Sequence, residues 1–521
     1  MENPVILFLR EKIASRIVAV AREQRFFIMC LTFVGLAAQA SMAQMPVSSR
    51  TRTLGIPHGK DAIVRFFGTA GNMLVCHWDE LQGTPVFTCR INPSNPSANR
   101  YELVIETTPY GAVNYMVNDM EVVGNRCYFC GKRRYAVGLE YDMWGHLVSV
   151  FDSVGFIGTM LLDDITNLPG GKVYYQLCDI QGTSELLRLD AILDPDTQKD
   201  TLIGMVGRSV PRGKTCLVTI KIRGSAWAGD IRYASSTDEL FSDVVFAADK
   251  IVVATHFVNH PYEFALRAGD VNDVFYTTNY SSLDGVYRFN TLPMTCNSRE
   301  LHPTWHYDDV DIRLSAVPST SKVVVAYESF STRPSTPMIN YSLTSLYKMD
   351  LALPMPTPGI TMLDAINVNS LIRSTDVLAD LKHVGTTDWT ALVQRNKSSS
   401  YIASMMQEVS WTPVVDMRSY APGLDDSWTS VDIYNGQQIW VAGNRPNHND
   451  SVVLFYQHIQ YPSGSCKERL TPDACRLSPM ADKTHENQSL EPTDFLYSNR
   501  KWLQINAKMT EIKQTCITYG Q

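Results

Sequence analysis

The segment DMEVVGNRCYFCG, residues 119–131, recurs without a gap as DVVFAADKIVVAT at 243–255. Asp119 aligns with Asp243, Arg126 with Lys250, Cys127 with Ile251, Phe129 with Val253 and Cys130 with Ala254. The same shape returns as DIYNGQQIWVAG from Asp432, and with longer turns as DITNLPGGKVYYQL from Asp164 and DIRLSAVPSTSKVVVAY from Asp311. Fainter copies are DAIVRFFGTAGNMLVCH from Asp61 and DLKHVGTTDWTALVQ from Asp380. Seven copies of strand, turn and strand therefore run from residue 61 to residue 443, beginning on average about 60 residues apart. Each second strand is β-branched or aromatic, the composition that suits a pleated, half-buried surface.

The repeat decides how Cys127 and Cys130 are read. A C-x-x-C spacing serves redox and zinc sites where the backbone is helical or tightly turned. In an extended strand, residues three apart point to opposite faces about 10 Å apart, beyond the reach of a disulfide and of one shared zinc ion. Cys130 occupies the place held by Ala254, Ala326 and Ala442, which asks for a small side chain, and cysteine packs readily as one. Both cysteines are expected to be structural.

Between the hairpins lie further strand-like segments, SELLRLDAIL near 184–193, TCLVTIKIRG at 215–224 and HLVSVFDSVG at 146–155. Long helical periodicity is scarce; LDAINVNSLIRSTDVLADL, 363–381, comes nearest. Many short strands separated by turn signals predict an all-β fold. The pattern resembles a β-propeller, and more loosely the uncharacterised exported proteins of Bacteroidetes bacteria that carry CYFCG-like strands. The resemblance covers about residues 55 to 465 and implies export and a propeller ring, with no known activity. About seven blades are expected. GKTCLVT at 213–219 as another inner strand makes eight, merging the faint copies makes six, and a pair of β-sandwich domains is the competing fold.

Residues 26–38, FFIMCLTFVGLAA, follow a basic region and precede the small residues AQASMA. That order marks a secretory signal peptide over residues 1–43, and the apolar run is short for a transmembrane helix. The repeats then fill 44–465, a loop or linker follows at 466–493, and residues 494–521 resume apolar spacing as strands that close the ring or as a small appendage. No later stretch reaches membrane-spanning length. Periplasmic, cell-surface or extracellular residence follows from export. The mature chain keeps ten cysteines, which an oxidising compartment permits to pair; Cys466 and Cys475 flank one loop and are the first disulfide candidates.

A net charge of −7 argues against a nucleic-acid partner. The densest group of metal-ligating side chains is HPTWHYDD, with His302, His306, Asp308 and Asp309, weighed as a divalent-metal site against a solvated loop before a repeat; His256 and His260 form a sparser pair. No cofactor is otherwise implied. The recurring aspartates, Asp119, Asp164, Asp243, Asp311 and Asp432, suit calcium as oxygen ligands, but a polar residue repeated at every hairpin more often bonds nearby backbone N–H groups. G-x-S-x-G, H-E-x-x-H and GxxxxGK[ST] motifs are absent, so catalytic residues are not assigned. Trp144, Trp227, Trp305 and Trp428 are the ligand-platform candidates. The expectation is an exported, non-catalytic propeller that binds a protein, peptide or glycan through its loops. The alternatives are a structural component of a cell-envelope assembly, or a hydrolase or lyase acting on extracellular carbohydrate.

Overall fold

The computed structural model describes the strands and most tight turns between residues 49 and 458, and the short pieces 478–479, 491–492 and 508–513. Residues 1–48 and the connections at 91–99, 105–112, 164–171, 277–284, 291–305, 352–375, 417–426 and 459–477, with several shorter ones, lie outside this description. The signal-peptide segment and the Cys466–Cys475 pair fall there.

The described strands form seven antiparallel sheets, labelled I to VII in chain order. Sheet I pairs strands 59–67, 72–79, 84–90 and 100–104. Sheet II pairs 113–123, 126–141, 147–161 and 172–180; sheet III pairs 185–193, 201–209, 214–223 and 226–233. Sheet IV pairs 239–247, 250–257, 260–270 and 285–290, and sheet V pairs 306–316, 322–333 and 339–350. Sheet VI pairs 376–384, 389–396, 401–409 and 412–416. Sheet VII pairs 427–434, 438–445 and 451–458, and the early strand 49–53 joins its outer edge, Thr51 opposite Phe455.

The first strand of every sheet lies beside the first strands of its two neighbours, and strand 427–434 of sheet VII returns to strand 59–67 of sheet I. The fold is therefore a β-propeller, with first strands around the axis. Its core is a set of seams, each shared by two successive sheets. Cys127 and Phe129 join Cys76, Phe87 and Cys89 of sheet I, whereas Tyr128 and Cys130 join Cys216, Val218 and Ile220 of sheet III. The period-2 alternation of a strand thus sends the two cysteines of the C-x-x-C to opposite seams. Both are free thiols and fully buried.

Two repeat assignments change. The strand 172–180 that follows Asp164 is the fourth strand of sheet II, not the second strand of a hairpin; Asp164 itself lies outside the described residues. The missing copy is ELLRLDAIL, the first strand of sheet III, whose turn to 201–209 is too long and polar to align with the others. GKTCLVT belongs to the third strand of sheet III, not to an inner strand. The tail strand 508–513 pairs with 172–180 at the edge of sheet II, Glu511 opposite Tyr174, and it is the early strand 49–53 that completes sheet VII.

Candidate functional site

Each first strand carries a β-bulge near its start, visible as a register shift at 60/63, 117/119, 186/188, 241/243, 307/309, 378/380 and 428/430. A bulge re-aims the side chains that follow it, and here polar side chains face the axis. Asp119, Asp190, Asp243, Asp311, Asp380 and Asp432 each accept the N–H of the next residue, at 2.8–2.9 Å. Among the described residues, five of them reach further with the second oxygen and accept an N–H from the first strand of the following sheet. Asp119 takes Leu189 at 3.0 Å, Asp190 takes Phe246 at 2.7 Å and Asp243 takes Leu314 at 2.7 Å. Asp380 takes Val431 at 3.0 Å and Asp432 takes Phe66 at 2.7 Å. The repeated aspartate is a clamp between sheets, which is why it recurs around the ring. The sequence reading as a local N–H acceptor captured only its first oxygen.

Between sheets I and II an arginine serves instead. Arg65, 5% exposed, meets Asp119 and Glu121 at 3.2 Å and Asp380 at 3.7 Å, and donates to Ser430 Oγ at 3.1 Å. Arg188, Arg313 and Lys382 complete a belt of four cations among seven carboxylates, with Arg313 paired to Asp311 and Lys382 to Glu121. Burial works against the charge on Arg65, but Glu121, Asp380, Asp119 and Asp432 outweigh it and raise its pKa. Burial also opposes ionisation of Asp380 and Glu121, yet their cationic neighbours hold both below the usual carboxylate range. For Asp119 and Asp432 burial wins and the pKa rises; Asp190 and Asp243 are pushed up to about 7 by the same cause.

The belt separates two axial cavities, of about 800 Å³ and about 440 Å³, which share Asp119, Arg188, Arg313 and Asp380 as lining. The larger opens on the side where the first strands begin, walled by Trp78, Met116, Arg208, Lys214 and His256. On its wall Ser242 Oγ and His256 Nδ1 lie 2.7 Å apart. Among the described residues no group of three or more His, Cys, Asp or Glu side chains is arranged to hold a metal ion.

The candidates read from the sequence scatter. Trp227 is corrected: it is 5% exposed, packed among Ile220, Ile222 and Ile231 in the seam between sheets II and III, and offers no ligand platform. Trp144 is 74% exposed at the tip of the longest hairpin. Trp428 lies on the first strand of sheet VII, with its backbone opposite Gly443. His306, Asp308 and Asp309 belong to the opening of strand 306–316, not to a loop, with Asp308 at its bulge; His302 and Trp305 lie outside the described residues. Sequence reasoning missed Asp190, Arg65, Arg188 and Trp78. Only Asp190 had a signal, a lone aspartate centred in an apolar strand.

No family model matches the sequence, and no curated protein matches it. Similar solved structures include the polysaccharide lyase Uly1, at 10% identity and a TM-score of 0.43 over 81% of this chain and 95% of that one. A prolyl endopeptidase aligns at 9% identity and a TM-score of 0.39, over 77% of this chain and 47% of that one; this chain thus spans about half of its length. The β-propeller domain of the Trilobed protease from Pyrococcus furiosus aligns at 8% identity and a TM-score of 0.30, over 67% and 96%.

Proposed function

We propose that this chain is an exported binding protein whose larger axial cavity receives part of a protein, peptide or glycan. One observation carries the reading: the axial carboxylates are already engaged. Five of them hold the next sheet's backbone and the others face Arg65, Arg313 or Lys382, so an acid and base pair for glycoside cleavage is not set apart there. The mouth instead places Arg208 and Lys214, whose ammonium also donates to the Ser235 carbonyl at 3.2 Å, beside the half-buried Trp78, a mixture of one apolar platform and a few polar groups that suits recognition. Export and the likeness to Bacteroidetes proteins belong to the same proposal.

Screening the chain lacking residues 1–43 on glycan and peptide arrays tests it. Ligand binding that Trp78→Ala weakens about tenfold, with an unchanged melting temperature, supports the mouth as the site. Binding indifferent to both Trp78→Ala and Arg208→Ala removes the mouth from consideration.

A separate reading, a serine hydrolase of acyl groups and not the carbohydrate enzyme, has one observation in its favour, the contact between Ser242 and His256. A serine hydroxyl on an imidazole within the cavity wall has the geometry of an activated nucleophile. Covalent labelling by a fluorophosphonate that disappears in Ser242→Ala would establish it, and absence of labelling would close it.

A further inference from the structure

We infer that the tip of the sheet II hairpin, Tyr141–Leu147, is an anchor that inserts into the interfacial region of a phospholipid bilayer. The pairing of strand 113–123 with its neighbour begins at Val113 opposite Tyr135. Beyond that point, among the described residues, strands 126–141 and 147–161 pair only with each other as far as Tyr141 opposite Leu147, about 20 Å of two-stranded ribbon. At its end Tyr141, Met143, Trp144 and Leu147 are 75, 86, 74 and 54% exposed. Large apolar side chains concentrated on one protrusion mark a contact surface.

The turn is built to leave water. Asp142 accepts the N–H of Trp144 at 2.9 Å and of His146 at 2.8 Å, and its second oxygen lies 3.2 Å from His146 Nδ1. The Asp142 N–H donates to the His146 carbonyl and the Gly145 N–H to the Asp142 carbonyl, with Gly145 at φ +82° as this turn requires. The N–H groups of Asp142, Trp144, Gly145 and His146 are satisfied within the turn, which lowers the cost of an interfacial environment, and Trp and Tyr are the side chains that settle at headgroup level. The turn is thus fixed in shape before contact, so little ordering is lost on insertion.

Two features favour a lipid surface over a protein partner. The apolar groups crown a narrow convex turn, where a protein interface is a broader patch. The equivalent turns of sheets III and IV, on the same side of the ring, present Val210, 77% exposed, and Val258, 54% exposed. Those turns carry no such ribbon, so the sheet II tip stands ahead of them and meets a planar surface first. Glu140 and Asp142 beside the tip disfavour anionic lipid, so the expected surface is zwitterionic. Met116 and Val210 also line the larger cavity, so a chain anchored this way would hold its mouth toward the membrane.

Flotation of the chain lacking residues 1–43 with phosphatidylcholine vesicles tests the inference, alongside vesicles containing phosphatidylglycerol. The native protein is expected to float with phosphatidylcholine vesicles at low and high salt, with a blue shift of tryptophan fluorescence. The double variant Met143→Ser, Trp144→Ser should lose binding about tenfold or more while keeping its melting temperature, since neither side chain is packed. Trp78→Ala should float as the native protein does, which separates failure of the anchor from failure of the cavity reading. Failure of the native protein to bind either vesicle type overturns the inference, as does undiminished binding by the double variant. Binding that needs phosphatidylglycerol and vanishes in salt also overturns it. Tip-dependent self-association without vesicle binding would assign the tip to a protein contact instead.

Discussion

Asp243 of sheet IV accepts the backbone N–H of Leu314 in sheet V at 2.7 Å while its other oxygen accepts Val244 N–H at 2.8 Å. One side chain so joins two sheets that no ladder hydrogen bond connects. A hydrogen bond is worth about 0.5–1.5 kcal/mol net, and a buried donor left without its partner costs about 1–3 kcal/mol. Asp243→Ala is therefore expected to destabilise the fold by about 3 kcal/mol, read as a lowered urea midpoint. A loss below about 1 kcal/mol would show that the clamp is dispensable.

The same carboxylate sets a pH dependence. Burial pushes Asp243 and Asp190 up to about 7, whereas an unfolded aspartate titrates near about 3.9. Between about pH 4 and about pH 7 the folded chain holds protons that the unfolded chain has released, so this contribution falls as pH rises and is complete only below the unfolded value. Asp243→Asn removes one such group. Its stability should fall less steeply across that window, by up to about 1.4 kcal/mol per pH unit, measured as urea midpoints from pH 4.5 to pH 7.5. Parallel profiles for the two proteins would count against a raised Asp243.

Arg65 ties sheet I to Asp119, Glu121 and Asp380. Removing one partner of a buried ion pair costs about 3–5 kcal/mol because the other charges stay buried. Arg65→Met should lower the melting temperature sharply, with Arg65→Lys recovering part of the loss. Equal melting temperatures for all three proteins would mean that the belt does not support the ring.

The last residue of CYFCG has a steric role. A Cβ on Gly131 would lie 1.8 Å from the Met116 carbonyl oxygen, just before the bulge of that sheet, and backbone cannot yield as a flexible side chain does. Gly131→Ala is expected to cost more than about 3 kcal/mol. Gly138→Ala, where a Cβ meets nothing within 4 Å, should change stability little. Thermal melts of the two variants side by side provide the comparison.

The buried thiols of Cys76, Cys89, Cys127, Cys130, Cys178 and Cys216 lie in the seams among sheets I to III. Burial raises their pKa values, to about 12 for Cys89, Cys178 and Cys216, and the thiolate is the reactive form. These six should ignore Ellman's reagent in the native protein and react once urea unfolds it. Fast native reaction at Cys127 or Cys130 would revive the redox reading of the C-x-x-C.

The sequence by itself determined the all-β class, the inner hairpins at 61, 119, 243, 311, 380 and 432, and the structural status of Cys127 and Cys130. These rest on local physics: alternation of faces, β-branched composition and the small side chain needed at Cys130 are written within a dozen residues. Tertiary structure alone decided which aspartates work in pairs of sheets. Asp190 lacks the turn that marks the other copies, yet it stands on a first strand and meets Phe246 across a seam. The bulges, the belt around Arg65 and Arg188 and the cavity beside Trp78 have no linear signature, because their members come from different sheets. Trp227 and Trp144 make the same point in reverse. Both lie outside the inner hairpins, and what separates a core residue from an exposed tip is whether a second sheet lies against the strand that carries it.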